Sequence, residues 1–64
     1  MQEYDTIVLK RPLTDTTIPV GTKGVILMVF DDPSEAYEVE FVDSCNRSLG
    51  TFTVSDDDIE AWNG

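Results

Sequence analysis

Between Asp31 and Asp43 the chain reads DDPSEAYEVEFVD, with six carboxylates and no basic residue. Carboxylates in such density can share acid–base work, hold a hard cation, or attract a basic surface. Acid–base catalysis needs a sheltered pocket and most often uses histidine, and this chain has no histidine. A second acidic run, Asp56-Asp57-Asp58 followed by Glu60, lacks the alternating ligands, Gly bend and distal bidentate Glu of a calcium loop. Three consecutive aspartates cannot converge on one ion. Ser55 and Asp58 instead have the spacing of an approximate capping box for a short helical turn. Acids in a first helical turn also suit the helix dipole. The single cysteine, Cys45, has Arg47 nearby but no base to activate it, and Ser44 and Ser48 are turn residues. No catalytic or metal-ligating residue is assigned, no cofactor is expected, and the chain is read as not an enzyme.

That leaves attraction of a basic surface, and the charge distribution favours it. Residues 1–30 hold three acids (Glu3, Asp5, Asp15) and three bases (Lys10, Arg11, Lys23), whereas residues 31–64 hold ten acids against Arg47 and carry the whole net charge of −9. Nucleic-acid binders present the opposite sign to phosphate, so direct binding to DNA or RNA is not expected, nor is binding to an anionic membrane. An acidic surface serves solubility, or steers association with a basic protein.

Sixty-four residues make one domain, 1–64, with a thin core that buries only about 60% of the unfolded surface. An apolar content of 41% is sufficient for globular folding despite the charge. A lone cysteine makes no internal disulfide, which argues against a secreted, stapled mini-domain. MQEYDTIVLK lacks the features of a signal peptide, and the longest apolar run, Val25 to Phe30, is too short to cross a bilayer. A cytoplasmic location is expected.

The elements that must position the acids are short strands. Thr6-Ile7-Val8-Leu9 is β-branched and ends near Arg11-Pro12. Leu13 to Val20 is a polar irregular loop, with Leu13, Ile18 and Val20 expected to anchor it. Gly21-Thr22-Lys23-Gly24 reads as a turn. Val25 to Phe30 is the central strand, Asp31-Asp32-Pro33-Ser34 a second turn, and Ala36 to Val42 a strand of period two. A hairpin through Ser44 to Ser48 leads to a fourth strand, Leu49 to Val54, and the helical turn follows. The expected core is Ile7, Leu9, Ile26, Val29, Tyr37, Val39, Phe41 and Phe52. Four to five short antiparallel strands with a terminal helical turn imply an all-β fold, a small SH3-like barrel closed to leave few edges.

In that frame Tyr37, Val39 and Phe41 point inward, and Glu38 and Glu40 project together from the other face. This face either rests in water or forms an acidic recognition surface. The candidate partner-binding residues are Asp31, Asp32, Glu35, Glu38, Glu40 and Met28. The run Val25-Ile26-Leu27-Met28-Val29-Phe30 does not alternate as a half-buried strand should. Small barrels use every apolar residue, so packing of all six in the core is the favoured reading. The alternative places a bulge between Ile26 and Val29 and leaves Leu27, Met28 or Phe30 partly exposed, as a contact patch if several cluster. Trp62 is expected to cover the open end of the barrel.

Thr6 to Leu9, Val20 to Ile26, Glu35 to Asp43 and Thr51 to Val54 together resemble a bacterial family of small uncharacterised domains, a domain of unknown function. The resemblance spans nearly the whole chain and is most distinctive over Glu35-Ala36-Tyr37-Glu38-Val39-Glu40-Phe41-Val42-Asp43. It implies an SH3-like barrel, supplies no catalytic residues, and implies an antitoxin or immunity role through the toxin-like or other small partner genes beside which such domains often sit. Relatives tend to carry a polar residue near position 28, where this chain has Met28. The leading function is therefore a non-catalytic protein-binding module, an antitoxin or immunity-like inhibitor of a basic partner, monomeric or weakly self-associating. Two alternatives are a DNA-mimic regulator and a structural accessory subunit. Clustering of the acids on one strand and one terminal turn argues against mimicry, which needs charge spread along a surface.

Overall fold

Apolar side chains at alternate positions of Thr6–Leu9 and Ala36–Val42 turn to one core, and the remaining strands complete it. The computed structural model describes residues 1–14, 16–32 and 34–63. Asp15, in the expected polar loop, and Pro33, in the expected second turn, lie outside the described residues. The strands are β1 (Thr6–Leu9), β2 (Lys23–Phe30), β3 (Ala36–Val42), β4 (Ser48–Ser55) and β5 (Ile59–Ala61), with a 3₁₀ turn at Asp56–Asp58. All pair antiparallel in a single open sheet of order β4-β3-β2-β1-β5. The all-β architecture of short antiparallel strands is as expected. Among the described residues no ladder joins β4 to β5, so both remain edges. Among the described residues no helix is long and apolar enough to cross a membrane.

Ile7, Leu9, Ile26, Tyr37, Val39, Phe41, Val54 and Ile59 form the buried centre, with Ile18 closing it from the β1–β2 loop. Val29 and Phe52, expected within the core, are only partly buried against it, as is Leu13. β2 resolves its apolar run by a register shift: Ile26 pairs with Val39, Met28 with Glu38 and Val29 with Tyr37, so Leu27 is the extra residue. A strict period of two would carry Met28 inward behind Ile26. The bulge reverses the phase, turning Val29 to the core and leaving Met28 and Phe30 outside at 45% and 37% exposure. Packing of all six residues in the core is thus overturned, and the bulged alternative is what the chain adopts.

Four further expectations are corrected. Val20 is exposed rather than an anchor. It occupies the tip of a tight turn in which the Thr22 hydroxyl donates to the Pro19 carbonyl at 2.7 Å and the Gly21 amide to that of Leu9 at 2.7 Å. Gly24 is buried inside β2, not in the turn. A Cβ there would lie 2.7 Å from Val39 Cγ1 and 3.0 Å from both the Glu40 carbonyl oxygen and Phe41 Cδ1, so glycine lets β3 approach. The helical turn ends at Asp58 and the chain goes on as β5, because Ile59 has a place in the core and its backbone pairs with Leu9. Trp62 does not cover the core. Alternation from Ile59 sends it outward, where it is 45% exposed with Lys23 Nζ 4.4 Å from its ring centroid.

Candidate protein-binding face

The outer face of the sheet is built by the same alternation that fills the core. On β3, Ala36, Glu38, Glu40 and Val42 alternate with Tyr37, Val39 and Phe41. The ladders place Met28 and Thr53 on either side of Glu38, and Val25 and Thr51 on either side of Glu40. Phe30 lies beyond Met28 on β2, across from Ala36. A carboxylate beside an exposed thioether, with a phenylalanine next along, is therefore a product of the β2 bulge. Had β2 run regularly, Glu38 would have faced a different neighbour.

Glu38 and Glu40 take no part in an ion pair among the described residues. The two bridges present are Arg11 Nε to Asp58 Oδ1 at 2.8 Å and Arg47 Nε to Asp43 Oδ2 at 3.0 Å. Lys23 shares the outer face but lies over Trp62.

The remaining acids divide by role. Asp43 is committed to the β3–β4 hairpin: its Oδ1 accepts the amides of Cys45 and Arg47 at 2.8 and 2.9 Å, which allows Asn46 its left-handed φ of 62°. The Arg47 amide foremost, with the Cys45 amide and the Arg47 guanidinium, holds the Asp43 carboxyl below its ordinary value against a smaller opposing effect of burial. Asp58 completes the capping box, accepting the Ser55 amide at 3.0 Å and the Ser55 hydroxyl at 3.1 Å. These contacts, the Ser55 amide first and then Arg11, likewise lower its pKa, with burial opposing. The Lys10 amide also donates to the Asp58 carbonyl at 2.8 Å, so this one residue ties the end of β1 to the 3₁₀ turn. That double role is not visible in the local sequence, since Arg11 and Asp58 lie far apart in the chain.

Asp31, Asp32 and Glu35 are exposed in the β2–β3 turn, at the end of the sheet just beyond Phe30 and Ala36. The fold brings Asp56 toward this end. The Tyr37 hydroxyl is pushed up to about 12, first by burial and then by Glu35, Asp56 and Asp31 around it. Of the six candidate residues, Met28, Glu38 and Glu40 thus share one face, while Asp31, Asp32 and Glu35 lie in the turn at its end. Sequence reasoning missed Thr51 and Thr53, the exposed neighbours of the two glutamates on β4. Only strand pairing reveals them.

At the opposite end, a surface cleft of about 410 Å³ lies between the turn before β2 and the β3–β4 hairpin, lined by Pro19, Thr22, Lys23, Val42, Asp43 and Leu49 among others. Its charged groups are already engaged, Asp43 with the hairpin and Lys23 with Trp62. The outer face is the better site.

The family model described as "Domain of unknown function (DUF4926)" matches residues 3–61. The chain belongs to this family. The match runs from the turn before β1 to the end of β5, so the DUF4926 domain comprises the complete sheet and both acidic regions. No curated protein and no solved structure matches the chain.

Proposed function

We propose that this DUF4926 domain is a non-catalytic protein-binding module that engages a basic partner through the outer face of β2 and β3. The role this supports best is that of an antitoxin or immunity-like inhibitor, masking a basic surface of another protein. The strand order, with β5 returning beside β1 after a 3₁₀ turn, supports reading the open sheet as a partly rolled SH3-like barrel, the scaffold the family resemblance implies.

One observation carries the reading. The exposed Met28 and the half-buried Glu38 are cross-strand neighbours on the outer face, with Phe30 beside them, and neither Glu38 nor Glu40 has a cationic partner among the described residues. An isolated domain gains little from an apolar side chain held against an unpaired carboxylate. A partner surface that offers Lys or Arg beside apolar groups covers both, with burial supplying affinity and charge supplying rate and selectivity.

The test is association kinetics with the product of a neighbouring gene that co-purifies with the domain, measured at several salt concentrations. Glu38→Lys with Glu40→Lys should slow association and flatten its salt dependence, with the fold retained because both positions lie outside the core. Association rates indistinguishable from the parent chain would reduce the face to a solvated surface.

A further inference from the structure

The sheet has two edges, and they are defended very differently. β5 is three residues long and carries Glu60 at its centre. Short length and charge are the usual protections of an edge against pairing with another chain. β4 has neither. Its eight residues, SLGTFTVS, include no charge and no proline. A bulge at Leu49 disturbs its start, but from Gly50 to Ser55 it runs in unbroken register with β3. Among the described residues, no backbone group of Thr51 to Val54 bonds to anything besides β3. A regular, uncharged edge with free amides and carbonyls is a template for one more strand.

The side chains along this edge say what that strand would carry. On the inner side Phe52 is only partly buried, its ring 6.2 Å from that of Phe41 at the margin of the core. On the outer side Thr51 and Thr53 are exposed and short, and directly behind them stand Glu40 and Glu38. Strands in a sheet are spaced about 4.8 Å apart, so the outward side chains of an added strand would sit about 10 Å from those of β3. Threonine does not fill that gap, and the long stems of Lys or Arg reach across it toward the carboxylates.

We infer that β4 is the docking edge of the domain and takes an extended, basic partner segment as a sixth strand, alternating apolar residues over Phe52 with Lys or Arg toward Glu38 and Glu40. The inference rests on the proposed preference for a basic partner and adds the mode of capture. Main-chain hydrogen bonds to β4 give affinity, and the glutamates one strand inward select charge. A second copy of the chain would place uncharged Ser and Thr opposite these glutamates and would leave them unpaired.

The experiment titrates the full chain, isotopically labelled, with a short capped peptide alternating Val and Lys, and with its Val/Glu counterpart. Backbone resonances and amide exchange are followed. The expected result is slowed exchange across Gly50 to Ser55 with the Lys peptide alone. Thr51→Lys with Thr53→Lys, which guards an exposed edge with charge, should weaken binding at least about tenfold, as should Glu38→Lys with Glu40→Lys. Circular dichroism verifies that each variant is folded. Peptide binding that shifts Met28 and Phe30 but leaves β4 exchange unchanged overturns the added strand while leaving the proposed function standing. Equal binding of both peptides, or no response up to about 1 mM, also overturns it. Protection of β4 that depends on protein concentration without peptide would assign the edge to a second copy instead. Failure of partner association to respond to charge reversal, with β4 still protected by the Lys peptide, would count against the outer-face reading and not against the edge.

Discussion

Replacing Gly24 by Ala tests how closely β2 and β3 are packed. Gly24 does not adopt a left-handed φ, so alanine fits its backbone and the consequence is steric. The new methyl would lie 2.7 Å from Val39 Cγ1, 3.0 Å from the Glu40 carbonyl oxygen and 3.0 Å from Phe41 Cδ1. Overpacking of a core costs about 1–3 kcal/mol, and the reduced freedom of the unfolded chain returns about 0.4–1 kcal/mol, so a mid-range cost of about 2 kcal/mol leaves a net loss of about 1–2 kcal/mol. In a domain this small that lowers Tm by about 4–16 °C, given roughly 4–8 °C for each kcal/mol. Val39→Ala, at a fully buried position, should cost about 2–3 kcal/mol through lost transfer energy and the cavity left behind. The double variant is the decisive one. Removing Val39 Cγ1 relieves the shortest contact, but the Glu40 carbonyl is backbone and stays in place. The loss in the double variant should therefore fall short of the sum of the two single losses by about 1 kcal/mol. Thermal and urea unfolding of the four chains closes the cycle. Strict additivity, or a Gly24→Ala loss under about 0.5 kcal/mol, would refute the claim that glycine is needed for strand approach.

The Asp58 clip and the titrating groups give three more predictions. Asp58→Ala should cost about 1 kcal/mol in urea unfolding, because it orphans the Ser55 amide and removes the bridge to Arg11, while the Lys10 amide keeps its bond to the backbone carbonyl; Arg11→Ala should cost less, since the guanidinium is mostly in solvent. Stability should fall as pH drops from the ordinary carboxyl value of 3.8 through the lowered folded values of Asp43 and Asp58, where the unfolded chain binds more protons. At the alkaline end Tyr37 reverses the sign: its contribution is intact below pH 10.0 and is lost as pH rises toward about 12, which urea midpoints and tyrosinate absorbance measured together would show.

Strands whose side chains alternate were legible in the sequence, and the rest depended on what meets across the ladder. Thr6–Leu9 and Ala36–Val42 announce themselves by period, and the outward placement of Glu38 and Glu40 follows directly. The bulge at Leu27 is suggested by failure of alternation in β2. Its necessity lies in the need to bring both Ile26 and Val29 to one core. Gly24 resembled a turn residue because glycine marks both turns and close approaches, and only the β3 neighbours distinguish them. β5 was hidden behind a strong capping signal: Ser55 and Asp58 do start a helical turn, but Ile59 is worth more in the core than as its continuation. At the candidate site, Met28 beside Glu38 required the register, and the undefended edge of β4 required the strand order.

The acids after residue 30 are not one feature. Asp43 closes a hairpin, Asp58 caps a turn, and Glu35, Asp56 and Asp31 add to burial in pushing the Tyr37 hydroxyl up to about 12. Glu38 and Glu40 do none of these things, and local structure gives them no task. Two residues apart on one face of a strand, their carboxylates are about 7 Å apart, which in water corresponds to a repulsion of about 0.6 kcal/mol before screening by salt. That penalty is small enough for folding to tolerate and too small for folding to have shaped the pair. Threonine, the residue at both adjacent positions of β4, would satisfy the same outward sites with better strand propensity and no repulsion. The two glutamates interrupt a pattern that folding alone would fill with such residues, beside an exposed methionine and one strand in from an open edge. That contrast with the other acids is the physical ground on which the proposed protein-binding role of this face rests.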